Sequence, residues 1–124
     1  MKVLVTGDRG YIGSVLVPSL VEKNYEVVGF DIGFFNDNLL CNSFDDYEKI
    51  TCDIRNINRS HLKNINSVIH LAGLSNDPLG ELTPNITYEI NYEATINLAK
   101  IAKEQGVERF IYASSQSMYG ISNT

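Results

Sequence analysis

Apolar residues follow two periods along this chain. Short compact runs, such as Val3-Leu4-Val5 and Ser67-Val-Ile-His-Leu71, alternate with stretches in which apolar side chains recur every three or four positions. The runs read as buried strands and the stretches as helices packed on one face. Strand one is expected over Lys2 to Thr6. A helix follows over Tyr11 to Lys23, with Ile12, Val15, Leu16 and Leu20 on one face, a kink at Pro18, and Asn24 ending it. Strand two is Tyr25 to Phe30, with Asp31 at its end. No period is visible over residues 32–47, which read as loop. Strand three is Lys49 to Cys52, Asn58 to Lys63 is a short helix or turn, and strand four is Ser67 to Leu71.

Ala72 to Leu82 reads as loop. Thr83-Pro84 is a helix start, with a capping hydroxyl before a proline at the first helical position. The helix is expected to reach Gln105, with Ile86, Ile90, Ala94, Leu98 and Ile101/Ala102 as its apolar stripe. Lys100 and Lys103 suit its C-terminal end and Gly106 stops it. Strand five is Glu108 to Ser114, and Ser115 to Thr124 reads as loop. Strands that alternate with helical crossovers imply a parallel sheet in a doubly wound α/β domain, order 3-2-1-4-5. Ligands in such sheets bind at the C-terminal strand ends, beside the switch point. Gly7, Asp31, Asp53, Gly73 and Ser115 all fall at or just past those ends.

Composition narrows the classes. The 124 residues suffice for one domain with its own core, and 44% hydrophobic with 20% charged is ordinary for a globular chain. Net charge is −5 and no Lys/Arg cluster exists, which argues against nucleic acid as partner. Any anion site must be local, made of backbone N–H groups and a helix end. Cys41 and Cys52 form no C-x-x-C pair and stand near no histidine at metal-ligand spacing, so no metal is expected and two reduced thiols in a cytoplasmic protein are. No charged-then-apolar leader opens the chain, and no apolar run approaches the ~20 residues of a membrane span.

The chemistry starts at Thr6-Gly7-Asp8-Arg9-Gly10-Tyr11-Ile12-Gly13, where a strand runs through a glycine turn into a helix. Here Gly7 would make the sharp turn, Gly10 would admit a pyrophosphate, and Gly13 would let the helix sit close to the strand. Tyr11 and Ile12 lie at the helix start, where backbone N–H groups and the positive helix end meet a phosphate. Asp31 can accept both ribose hydroxyls of an adenosine. It would repel a 2′-phosphate, and Ile32 is no arginine to receive one, so NAD is expected rather than NADP.

The T-G-x-x-G-x-x-G spacing resembles the extended branch of the short-chain dehydrogenase/reductase superfamily, and with it the NAD-dependent, UDP-glucose 4-epimerase-like epimerase/dehydratases of nucleotide sugars. The resemblance implies a Rossmann-type fold. It implies that Asp53 hydrogen-bonds the adenine amino group while the Ile54 N–H contacts the ring. Leu71-Ala72-Gly73 resembles the strand-four signature that packs beside the adenosine and the nicotinamide-side ribose. Asn91, in Asn91-Tyr-Glu-Ala-Thr95, resembles an N-x-x-x-T segment whose Asn supports the active-site geometry; an ordinary polar residue at the edge of the stripe is an equal reading. Tyr112-Ala-Ser-Ser-Gln-Ser-Met-Tyr-Gly120 resembles the S-S-x-x-x-Y-G element, in which Ser115 takes the catalytic Ser/Thr place, Ser114 is mainly backbone and Tyr119 structural. His70 reads as a packed core histidine. Loop 73–82 is expected on the substrate side.

These enzymes also need Tyr-x-x-x-Lys, whose spacing puts acid/base and its activating charge on one helix face. No tyrosine here has a lysine four residues on. Residues 1–124 therefore read as the N-terminal part of an NAD-binding domain without its substrate domain, inactive alone. The alternative is a non-catalytic dinucleotide-binding module or remnant. In the family the helix matching residues 84–105 pairs in a homodimer, so self-association through it is expected. A flavodoxin-like or receiver-type domain shares the alternation but does not ask for the glycine turn and Asp31 together.

Overall fold

The computed structural model describes residues 1–34, 44–75, 83–115 and 119–121. Five parallel strands form one sheet in the order β3-β2-β1-β4-β5. They are β1 (Lys2–Thr6), β2 (Glu26–Asp31), β3 (Glu48–Thr51), β4 (Ser67–His70) and β5 (Arg109–Tyr112). Each strand lies within a residue or two of its expected limits. Asp31 closes β2, at the strand end where it was expected. Cys41, residues 76–82 of the expected substrate-side loop and residues 116–118 of the serine-rich element lie outside the described residues.

The central strand is buried on both faces. Leu4 points into a cluster with Val28, Phe30, Val68, Leu98 and Ala102, whereas Val3 and Val5 join Val17 and Val27 on the opposite side. Side chains alternate faces along a strand, so one five-residue run feeds two cores.

Helix α1 (Tyr11–Glu22) covers the second core. Its inward face is Gly13, Leu16, Val17, Leu20 and Val21, not the predicted face as a whole: Ile12 and Val15 are exposed. The cause is Gly13. A Cβ there would sit 2.4 Å from the carbonyl oxygens of Gly7 and Asp8. The backbone of residue 13 is thus pressed against the turn, and this contact sets the helix rotation. Pro18 is accommodated inside α1. Asn24, at φ 62°, ends the helix region as expected, its N–H donating to Val21 O at 2.9 Å.

On the other face the long helix is continuous but not uniform. Helix α2 (Pro84–Tyr88) passes through a π-helical turn (Glu89–Glu93) into α3 (Ala94–Glu104). Ala94, Leu98, Ile101 and Ala102 are buried as expected, but Ile86 is exposed. The widened turn shifts the stripe, because a π turn adds a residue to the helical repeat. Gly106, at φ 73°, terminates α3. Short 3₁₀ turns at Ile54–Asn56 and Arg59–Leu62 complete the first core. Among the described residues no helix is long and apolar enough to cross a membrane.

Candidate functional site

A cleft of about 370 Å³ opens at the C-terminal edge of the sheet. Gly7 and Gly10 form its glycine-turn side, Asp31, Asp53 and Ile54 one end, and Ala72 and Gly73 the other. Seven predicted residues therefore share one cavity. Phe30, Ile32, Phe34, Leu74, Ile86 and Ile90 add an apolar wall; the sequence put Ile86 and Ile90 on a helical stripe and Ile32 after Asp31, but none of the six in the site.

Gly7 has φ 74°, a conformation costly for any residue with a side chain. A Cβ there would also approach Ala72 N to 2.8 Å. The Gly7 N–H donates to Phe30 O at 2.9 Å, tying the turn across to β2. Gly10 is the N-cap of α1. Among the described residues no side-chain cap is found at this helix start, and no acidic residue lies in its first turn. Neither its cap residue nor its first turn supplies a side chain to neutralise the first-turn N–H groups and the positive helix end.

Asp31 is oriented by two backbone donors. Its Oδ1 accepts from Gly33 N at 2.7 Å and its Oδ2 from Arg9 N at 3.3 Å. The Arg9 side chain, buried behind the turn, donates to Asp31 O at 2.6 Å, Ile50 O at 3.3 Å and Thr51 Oγ1 at 3.1 Å. It holds the ends of β2 and β3 together. Asp8 is buried beside it and accepts from Tyr47 Oη at 2.7 Å. Burial raises the Asp8 carboxyl above its ordinary range, the Tyr47 hydrogen bond opposing that. Asp8, Arg9 and Tyr47 were missed in the sequence. The available signal was two charged residues enclosed between glycines that must pack closely.

Asp53 caps the first 3₁₀ turn and pairs with Arg55 at 2.6 Å. Hydrogen bonds from the Arg55 side chain hold its carboxyl below the usual range. Arg55 also reaches Glu89 at 3.0 Å. Cys52 is a free thiol. Among the described residues no group of His, Cys, Asp and Glu is arranged to hold a metal ion.

Other candidates lie around the cleft and do not line it. Tyr11 and Ile12 project outward from α1, and Gly13 is buried beneath it. Leu71 packs with the α1-side core. Asn91 sits in the π turn, and its amide grips the backbone of cleft residue Leu74: Oδ1 accepts from Leu74 N at 2.7 Å, and Nδ2 donates to Leu74 O at 2.8 Å. This is the geometry of a supporting residue. Ser115 is exposed just beyond β5 and is not among the lining residues. His70 is fully buried between Thr6 and Thr95.

The glycines, the uncapped helix start and the oriented Asp31 make a cradle that fits a dinucleotide: close backbone for a pyrophosphate and a carboxylate for a ribose. Comparison with known proteins agrees. Residues 3–124 match the NAD dependent epimerase/dehydratase family. A UDP-glucose 4-epimerase of Klebsiella pneumoniae is 35% identical over 97% of this chain and 93% of that sequence. UDP-glucose 4-epimerase uge1 of Schizosaccharomyces pombe is 36% identical over 95% of this chain, which spans only 36% of it. The structure of MoeE5 in complex with UDP-glucose and NAD superposes with a TM-score of 0.84 at 35% identity, over 99% of this chain and 39% of that one. By this family match, together with the fold, the chain belongs to the NAD-dependent epimerase/dehydratase family.

Proposed function

We propose that residues 1–124 are the NAD-holding portion of a nucleotide-sugar epimerase/dehydratase. One observation carries this reading: the uncapped start of α1 and the carboxylates of Asp31 and Asp53 stand around a single cleft at the sheet's switch point. Gly7 and Gly10 admit the pyrophosphate, and the N–H groups at Tyr11, Ile12 and Gly13 offer it a positive field. Asp31 accepts the adenosine ribose hydroxyls, and Asp53 with Ile54 receives the adenine. Ala72 and Gly73 form the surface toward the nicotinamide half, anchored by Leu71 in the α1-side core and supported by Asn91. NAD, when bound, supplies a reversible hydride acceptor.

Ser115 is assigned to hydrogen-bond the reacting hydroxyl or carbonyl of the sugar and to assist proton movement. The acid/base pair Tyr-x-x-x-Lys does not occur in these 124 residues. These 124 residues are therefore expected to bind the cofactor through the cleft and, without that pair, not to turn over sugar. The alternative is a dinucleotide-binding module or remnant with no reaction of its own. In either case we place it in the cytoplasm.

Calorimetric titration with NAD and an assay interconverting UDP-glucose and UDP-galactose test both halves. Binding without turnover is expected. Turnover by the purified chain would overturn the assignment of the acid/base pair, and absence of NAD binding would overturn the cofactor reading.

A further inference from the structure

We propose that His70 is a positioning residue: its neutral ring, held between Thr6 and Thr95, fixes the Leu71–Leu74 segment in the form that receives the dinucleotide. This rests on the cofactor reading of the cleft. Proton accounting fixes the tautomer of the ring. The Asn91 backbone carbonyl can only accept, so Thr95 Oγ1 donates to it at 2.9 Å. With its one proton used there, Thr95 Oγ1 accepts from His70 Nε2–H at 2.8 Å. A neutral imidazole with its proton on Nε2 leaves Nδ1 bare, and Nδ1 accepts from Thr6 Oγ1 at 2.6 Å. The Thr6 oxygen then accepts from Ala72 N–H at 3.3 Å. Every bond runs in one direction, from Ala72 through Thr6, His70 and Thr95 to Asn91.

The far end returns to the same segment. The Asn91 side-chain amide makes both hydrogen bonds of the Leu74 peptide groups, N–H at 2.7 Å and C=O at 2.8 Å. Ala72 is thus held at one end of this chain of hydrogen bonds, and Leu74, also in the cleft lining, by the side chain of Asn91, the residue whose backbone closes the other end. Thr6 and His70 stand side by side in paired strands, which brings their side chains together across the sheet. The π turn carries Asn91, and such turns recur at functional positions. Packing supports the neutral ring: Tyr112 stacks on it at 5.6 Å, and Phe110 lies 6.3 Å away. Burial pushes the His70 pKa down to about 4.

A histidine that only fills space makes a different prediction, because Phe would fill the same space. The first test is the free wild-type chain labelled with ¹⁵N. Ring nitrogen shifts at neutral pH are expected to show a neutral imidazole with the proton on Nε2. A proton on Nδ1, or on both nitrogens, overturns the proposal without any variant.

Hydrogen exchange is the second readout. In His70→Phe the Ala72 and Leu74 amides are expected to exchange about tenfold faster, with Val27 and Val28 unchanged. Thr95→Val is expected to reproduce this at Leu74, and His70→Gln, which retains a donor and an acceptor, to restore much of the protection. Unchanged protection at both amides in a folded His70→Phe or Thr95→Val chain overturns the positioning role. The NAD dissociation constant is expected to rise about tenfold in the same variants. A wild-type chain that binds no NAD overturns the cofactor reading and the dinucleotide half of the proposal. The ring tautomer and the exchange pattern, measured without NAD, decide the positioning half separately.

Discussion

Gly29 lies against Asp8 so closely that a Cβ on it would come within 2.2 Å of Asp8 Oδ2. The same Cβ would be 2.7 Å from the Tyr47 ring. Gly29 in the middle of β2 therefore makes room for the buried hydrogen bond between Asp8 and Tyr47. Gly29→Ala forces that pair apart or shifts β2 away from the turn. It is expected to destabilise the fold by about 1–3 kcal/mol, the ordinary range for overpacking. Urea denaturation at neutral pH checks this, and a variant as stable as the wild type would show that the pair relaxes freely.

Asp31 is held by Gly33 N and Arg9 N, with the Arg9 guanidinium on its own carbonyl behind it. A fixed carboxylate repels a 2′-phosphate and accepts ribose hydroxyls. On the proposed function, Asp31→Asn lowers NAD affinity about tenfold, the scale of one hydrogen bond to a charged group. NADP affinity should fall less or rise. Parallel titrations with the two dinucleotides measure the ratio, and equal losses would remove Asp31 from the ribose site.

The strand order was legible because each strand is a compact apolar run and the crossover rule leaves few arrangements. The cleft residues Gly7, Gly10, Asp31, Asp53, Ala72 and Gly73 were legible for the same reason, since all lie at strand ends on one edge. The orientation of α1 was not. Ile12 and Val15 satisfy the helical period as well as Gly13 and Val17 do. Only the close contact of Gly13 with the turn decides between the two faces. Arg9 was equally hidden. Its hydrogen-bond partners, Ile50 and Thr51, belong to a strand some forty positions away, and periodicity carries no information about such pairs. His70 was read as a packed core histidine, and it is one. Its link to Asn91 through Thr95 depends on three-dimensional proximity that spacing does not encode.

His70 also sets a pH dependence. Its pKa is pushed from 6.5 to about 4 in the fold, so the unfolded chain binds the proton first as pH falls. The stabilising contribution is complete above the unfolded value and is lost between about 6.5 and 4. A shift of this size corresponds to about 3 kcal/mol. Asp53, whose carboxyl lies below its ordinary 3.8, adds an acid loss only under that value. Asp8, raised from 3.8, works in the opposite sense: its contribution falls as pH rises from that value through its raised one. His70→Gln removes only the histidine's part. Stability measured at pH 7 and pH 4.5 should therefore differ less in the variant than in the wild type. Equal differences in both would show that His70 titrates in the fold as it does in the unfolded chain.

Tyr88 and Tyr92 lie one helical turn apart on the outer side of α2 and the π turn, their ring centroids 4.9 Å apart. Both are more than half exposed, and Ile96, one turn further along the same long helix, is 40% exposed. Apolar side chains held together on a rigid helix lose water when a second copy covers them. We propose that this face associates with itself. Replacing both tyrosines with Lys introduces like charges that would face one another across such a contact, and it removes two aromatic side chains worth about 1.5–3 kcal/mol each when fully buried. The wild-type chain is expected to sediment as an oligomer at high concentration. Tyr88→Lys with Tyr92→Lys is expected to sediment as a monomer with an unchanged thermal midpoint for the monomeric fold. A wild-type chain that remains monomeric at every concentration would assign these exposed rings to some other role.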